Sequence, residues 1–230
     1  MQKSINLKHI QYSVHNKHIL DGVSFRCTVD ERLCIFGENG AGKSTLFKII
    51  CGLIEPDSGV VEKQGHLRFV YVPQEFEQSF FDISIESYIK ELAGETVYKK
   101  VYSIGQELGF NLEKNKDKLC RNLSGGQQKI LALSTALACN PDFLLLDEPE
   151  NHLDIVSRRE LIGQLGMFSG GIIFISHDRL LIDALATKVG ELAHMKLHIS
   201  EGGYDDYIQM KMERIGGLQR AFDAESKRIR

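Results

Sequence analysis

No apolar run in this chain reaches the roughly 20 residues that a membrane-spanning helix requires. The opening residues, Met1-Gln2-Lys3-Ser4-Ile5-Asn6, lack the apolar core of a secretory signal. There is no C-x-x-C pair. The five cysteines (Cys27, Cys34, Cys51, Cys120 and Cys139) are odd in number and scattered, mostly in apolar surroundings. They read as small buried hydrophobes in a reducing compartment. The histidines show no metal-ligand spacing, and neither an internal repeat nor a low-complexity segment is found. Nor is there an excess of one charge: a net charge of −3 gives no global argument for a nucleic-acid surface. The most basic stretch, residues 211–230, is left as a local candidate. What remains is a 230-residue chain of ordinary globular composition, long enough for one large domain or a domain with a subdomain, expected in the cytoplasm.

Against that plain background one stretch stands out. Gly37-Glu38-Asn39-Gly40-Ala41-Gly42-Lys43-Ser44-Thr45 fits the phosphate-binding pattern G-x-x-x-x-G-K-[ST]. Glycines there let the backbone turn tightly and approach a phosphate, with converging N–H groups and a following helix dipole to attract the anion. Lys43 is placed to meet the outer phosphates and the Ser44 hydroxyl to ligate Mg²⁺. The apolar run Arg32–Phe36 before the loop reads as a buried strand. The spacing after it predicts a helix through Ile50, stopped by Gly52. An unliganded glycine turn is the plain alternative, and the agreement of motif with strand–loop–helix context disfavours it. A nucleoside triphosphate is the expected ligand.

The rest of the chain arranges itself around this loop. Alternating apolar residues over His9–Val14 and Val23–Val29 predict antiparallel strands, joined by a turn at His18–Gly22. A turn at Glu55–Gly59 and two strands, Gly59–Gln64 and Leu67–Val72, follow. From Ile83 to Leu119 the period becomes helical, suggesting a helical subdomain over about residues 83–140. A helix starting near Ser124 stops at Asn140-Pro141. The uninterrupted apolar runs Phe143–Asp147 and Gly171–Ser176 predict central parallel strands, bridged by a helix over Ile155–Leu165. Lys188–Ala193 and Lys196–Ser200 read as a hairpin, and the chain reads as helical from Tyr204, with a linker or tail over 215–230.

Polar residues cluster at the ends of these strands. Leu123-Ser124-Gly125-Gly126-Gln127 opens a helix with a good N-cap. Asp147-Glu148 ends one apolar strand, His177 follows another, and Gln74 follows Val72-Pro73. Each element alone has a structural reading: an ordinary capped helix, solvated carboxylates, a lone His or Gln. Together, in this order, they resemble ABC-type ATPases over roughly Ser4–Met210.

The resemblance implies an α/β chain with the ABC ATPase fold: a mixed sheet core with the phosphate loop, an antiparallel β subdomain and a helical subdomain, over residues 1–214. It implies that Gly37, Asn39, Gly40, Ala41, Gly42, Lys43, Ser44 and Thr45 hold ATP. Mg²⁺ would be held by Ser44, Asp147 and Gln74. Glu148 would polarise the attacking water, with His177, Lys43 and Gln74 at the γ-phosphate. Ser124, Gly125, Gly126, Gln127 and Asp154 would serve the ATP of a second ABC domain, a sister domain or a second copy. Tyr12 would stack on adenine, with packing in the core as its competitor.

A finer resemblance is to the ABC-F proteins, which carry two such domains and act on ribosomes, some protecting them against antibiotics. Asp147-Glu148-Pro149-Glu150-Asn151-His152-Leu153-Asp154 resembles their D-E-P-T-N-H-L-D. Ser176-His177-Asp178-Arg179 resembles S-H-D-R, and Gly203–Tyr207 their G-x-Y-x-x-Y. Glu150 departs from the usual Thr, and about fifty residues between Gln74 and Leu123 leave little room for an arm hairpin. The alternatives are the motor subunit of an ABC membrane transporter and a non-hydrolysing ATP-dependent interaction module, the latter disfavoured by the presence of Glu148 and His177.

Overall fold

The computed structural model describes residues 3–15 and 17–213. The uninterrupted apolar runs become the centre of a sheet. Arg32–Phe36 (β3), Phe69–Val72 (β5), Phe143–Asp147 (β6), Gly171–Ile175 (β7) and Lys188–Ala193 (β8) lie in the order β5-β6-β7-β3-β8. All these neighbours are parallel; Lys196–Glu201 (β9) closes the edge antiparallel to β8. Strands with no polar face must be covered on both faces, and these are. Leu33, Ile35, Leu145, Ile173 and Ile175 pack into one apolar cluster, while Cys34, Leu144, Leu146, Ile172 and Phe174 point into another. The period-two alternation of a strand divides the two cores.

The first cluster is roofed by an antiparallel sheet of Ser4–Val14 (β1), Lys17–Thr28 (β2) and Ser58–Gln64 (β4), ordered β2-β1-β4, and by the helix Lys43–Cys51 (α1). The expected turn at His18–Gly22 is not there: those residues lie inside β2. The register between β1 and β2 shifts between Ile10 and Tyr12, and Gly22 takes a positive φ of 73°. The Asp-Gly signal marks a bulge rather than a reversal, because a glycine in a strand serves either purpose. The two strands expected at Gly59–Gln64 and Leu67–Val72 also part company, β4 joining the antiparallel sheet and β5 the edge of the parallel one.

Helices cover the second cluster. Ile85–Ala93 (α2), Tyr98–Glu107 (α3) and Gly125–Ala138 (α4) form the helical region, and no strand interrupts residues 75–123. Ile155–Met167 (α5) links β6 to β7. Arg179–Leu185 (α6) follows β7, and the last described helix covers residues 204–213 (α7). Residues Lys129 to Ala138 of α4 are all buried, so this helix has no solvent face over that span. The linker or tail expected at 215–230, and the basic stretch beyond 213, lie outside the described residues. Lys211 within them is engaged by Glu191 at 2.6 Å. Among the described residues no helix is long and apolar enough to cross a membrane.

Parallel alignment has one consequence for function. Val72 pairs with Leu146, Asp147 with Ile175, and Ile35 with Ile175, so four strands end at one level. The loops after them, carrying Gly37–Ser44, Gln74, Glu148 and His177, therefore emerge along one edge, where open α/β sheets bind ligands.

Candidate active site

The loop after β3 is shaped by its glycines. Gly42 has a φ of 103° and caps α1; a Cβ there would lie 2.8 Å from Ile19 Cγ2. Gly37, at φ 154°, runs against the carbonyl of Leu192 with no room for a Cβ. At the other end of α1, Gly52 stops the helix as expected, with φ 76° and its N–H on the carbonyls of Ile49 and Lys48. Lys43 is 7% exposed and arches back over the loop, Nζ donating to the carbonyls of Gly37 at 2.7 Å and Glu38 at 3.0 Å. Burial holds its pKa below the ordinary lysine value, while Glu148 and Asp147 pull the other way. Asn39 and Gly40 are exposed; Ala41, Ser44 and Thr45 are partly so.

Asp147 ends β6 and is 2% exposed. Burial raises its carboxyl above the ordinary range; Ser44 and Tyr71 oppose that by hydrogen bonding, Tyr71 at 3.3 Å. The Ser44 hydroxyl and the Asp147 carboxyl therefore converge at the mouth of the loop. Among the described residues no group of three His, Cys, Asp or Glu could cage a metal. A hydroxyl and one carboxylate suit Mg²⁺, which takes few protein ligands and completes its shell with phosphate oxygens and water.

One residue on, Glu148 has a φ of 45°, in the left-handed region that costs a non-glycine residue on the order of 1 kcal/mol. This turn swings its carboxylate out of the strand direction. Gln74 Nε2 donates to it at 2.8 Å, and Asn151 Nδ2 donates to the same oxygen. Gln74 and Glu148 are thus brought together as neighbours. His177 is exposed just past β7, beside Phe36, Arg179 and Tyr204. Arg179 reaches Asp205 at 2.6 Å, tying this loop to the start of α7.

The helix-opening pentapeptide stands at the start of α4, where Gly125 lines the same groove as Gln74. Ser124 and Gln127 form a reciprocal capping box, Gln127 N–H donating to Ser124 Oγ at 3.3 Å and Ser124 N–H to Gln127 Oε1 at 3.1 Å. Ser124 and Gly125 are exposed. A Cβ on Gly126 would lie 2.5 Å from the His152 carbonyl, so this turn packs on the N-H-L-D segment. Asp154 caps α5, accepting from Ser157 N–H at 2.8 Å. Tyr12 is half-buried, opposite Leu20 on β2, and packs at the margin of the first cluster.

Tyr71 and Lys129 go unnoticed in a reading of the sequence, and Asn151 and Ser176 figure there only as members of their motifs, with no role of their own. Lys129 is 4% exposed and its Nζ donates to the carbonyls of Pro73 and Gln74, both at 2.9 Å, and of Asp147 at 3.5 Å. Burial lowers its pKa to about 8, against the attraction of Asp147, Glu150 and Glu148. The available signal was a lone charge at the head of the otherwise apolar Ile130–Leu133 run.

A family model described as ABC transporter matches residues 20–151. The ATP-binding protein Uup of Buchnera aphidicola subsp. Acyrthosiphon pisum (strain APS) is 35% identical over 223 residues, covering 94% of this chain and 37% of that protein. ABC transporter F family member 2 of Arabidopsis thaliana is 28% identical over 275 residues, covering 100% of this chain and 40% of its own length. The chain thus spans well under half of these relatives. A solved ATP binding subunit of an ABC transporter superposes with a TM-score of 0.79 at 22% identity, covering 90% of this chain and 92% of that one. At that identity the likeness speaks for the fold alone.

Proposed function

This chain belongs to the ABC transporter family, and on that premise we propose that it supplies one half of each of two ATP sites, closing head to tail on a second ABC domain. The domains of this family bind and hydrolyse ATP and pair with one another. The observation that carries the half-site reading is the division of labour in one chain. Lys43, Ser44, Asp147, Glu148 and His177 stand along one strand edge, while Ser124 and Gly125 open an exposed helix end that is capped from within and packed on His152.

In this reading the N–H groups of residues 39–45 and the Lys43 ammonium bind the phosphates, displacing Lys43 from its own loop carbonyls. Ser44, Asp147 and the amide oxygen of Gln74 would hold Mg²⁺, which when bound neutralises charge on the phosphate oxygens. Glu148, oriented by Gln74 and Asn151, accepts a proton from the attacking water. His177 donates to the γ-phosphate, Tyr12 lies against the adenine, and the partner's Ser124–Gln127 turn and Asp154 loop cover the nucleotide from the other side. In this reading the domain spans residues 1–214; the segment 215–230 lies outside the described residues.

We place the chain with the ABC-F proteins, as a cytoplasmic ATPase acting on the ribosome in translation or in antibiotic resistance. The D-E-P-x-N-H-L-D and S-H-D-R stretches and the Uup and ABC-F relatives support this. One feature favours the second reading, a transporter motor: a groove of about 560 Å³ beside Gln74, lined by Phe76, Phe80, Phe81 and Tyr88, suited to an apolar segment. The test is co-sedimentation of the Glu148→Gln protein, in its full-length context, with ribosomes. Pelleting that requires ATP is expected. Intact ATP binding without pelleting would overturn the ribosome assignment in favour of a membrane partner.

A further inference from the structure

Beneath the proposed catalytic edge lies a third carboxyl, which the chemistry of Asp147 and Glu148 leaves unused. Glu150 stands where the resembling stretch has threonine, and it is 6% exposed. Its Oε1 accepts the Ser176 hydroxyl at 2.6 Å. That hydroxyl in turn accepts the backbone N–H of Asp178 at 2.9 Å. The backbone N–H of His177 also faces the carboxyl and favours its charge. Ser176 and His177 of the loop after β7 thus meet this one side chain, and Asp178 is tied in through the Ser176 hydroxyl, so the residue held between them is His177.

The anchor itself is firm. Glu150 lies two residues past Glu148, whose N–H donates to the Ile175 carbonyl at 3.0 Å, so the loops after β6 and β7 are stitched by backbone as well as by side chain. A buried carboxylate is costly unless charge and hydrogen bonds compensate it. Here Lys129 faces it from α4, and Asp178 adds a like charge from the loop itself. Among the described residues its Oε2 is buried with no hydrogen-bond partner, so stability alone is a poor explanation for an acid at this place. A threonine hydroxyl, attached at Cβ, is two carbons closer to its own backbone than a glutamate oxygen and would not present an acceptor at the same point.

We propose that Glu150 is a positioning residue of the ATPase, fixing through Ser176 the place at which the exposed His177 meets the γ-phosphate. This rests on the reading of His177 given above. Glu150 touches no substrate and acts only through the loop it holds. Its loss therefore lowers the rate of the bound complex while leaving nucleotide binding to the loop after β3 intact.

The experiment is steady-state ATP hydrolysis by the full chain paired with its second ABC domain, with ATP affinity measured in parallel. Glu150→Met, close to isosteric but without an acceptor, and Ser176→Ala are each expected to lower kcat about tenfold, with KM for ATP held to within about twofold. Glu150→Gln keeps an oxygen for the Ser176 hydroxyl and is expected to restore kcat to within about threefold of wild type. In a His177→Ala background Glu150→Met adds no further loss, because both act at one point. Wild-type kcat in Glu150→Met and Ser176→Ala, with His177→Ala slow, overturns this inference and leaves the ATPase reading standing. Wild-type kcat in His177→Ala overturns the role of that histidine and the inference with it. A KM that rises in step with the loss, or a further loss in the double variant, also overturns it. Should Glu150→Met fail to fold, Ser176→Ala carries the same comparison.

Discussion

At the scale of single residues, Lys43 is a cation held in reserve. Its hydrogen bonds to the Gly37 and Glu38 carbonyls keep a buried ammonium satisfied, and under the proposed function phosphate oxygens replace them. Truncating one partner of a desolvated charge pair costs about 3 kcal/mol, or roughly a hundredfold in affinity. Lys43→Ala is therefore expected to weaken ATP binding by that factor in calorimetry; unchanged affinity would refute the role. Glu150 makes a second prediction, through pH. Burial raises its carboxyl above the ordinary value of 4.5, so the folded chain takes up this proton more readily than the unfolded one. Its contribution to stability is full below that value and is lost as pH rises through the raised one. Glu150→Gln should accordingly raise the melting temperature at pH 8, with a gain that shrinks as pH falls toward 5. A gain that does not change with pH would contradict the assignment. The strand–loop–helix around residues 37–45 was legible in the sequence because the glycine spacing fixes where the chain turns between the two elements. Glu150 was visible only as a departure, since nothing in its neighbours announces that Ser176, twenty-six positions on, is its partner.

Elements show why some of the site could be read and some could not. Helix α4 declares its start through Ser124 and its buried length through apolar residues, so its boundaries follow from local chemistry. What it holds does not. Lys129 links this helix to the Gln74 loop and to the end of β6 by three carbonyls that no local pattern brings together. Replacing it by methionine strands those carbonyls and removes the buried cation that attracts Asp147, Glu150 and Glu148. Such a break in a buried network costs ~3 kcal/mol. Lys129→Met is expected to lower the urea midpoint accordingly, whereas an unchanged midpoint would show that the three contacts contribute nothing. The misread turn at His18–Gly22 belongs to this scale too. A glycine with positive φ can end a strand or bulge it, and only pairing with β1 decides between them.

For the molecule as a whole, the parallel sheet aligns four strand ends and so assembles one face of the proposed ATP site, while the Ser124–Gln127 turn is offered at an exposed helix end. The order of motifs made that architecture legible. The assignment of β4 and β5 to different sheets was not, because both are short and neither records its neighbour. The central claim is that one chain holds half of each site. The most direct measurement is ATP turnover per chain as the concentration of a paired ABC domain, sister or identical, is raised from nanomolar upward. Turnover is predicted to be negligible in dilute solution and to climb with pairing to a plateau. A turnover per chain that is already full at the lowest concentration, and stays constant, would show that a single chain completes its own site and would contradict the account.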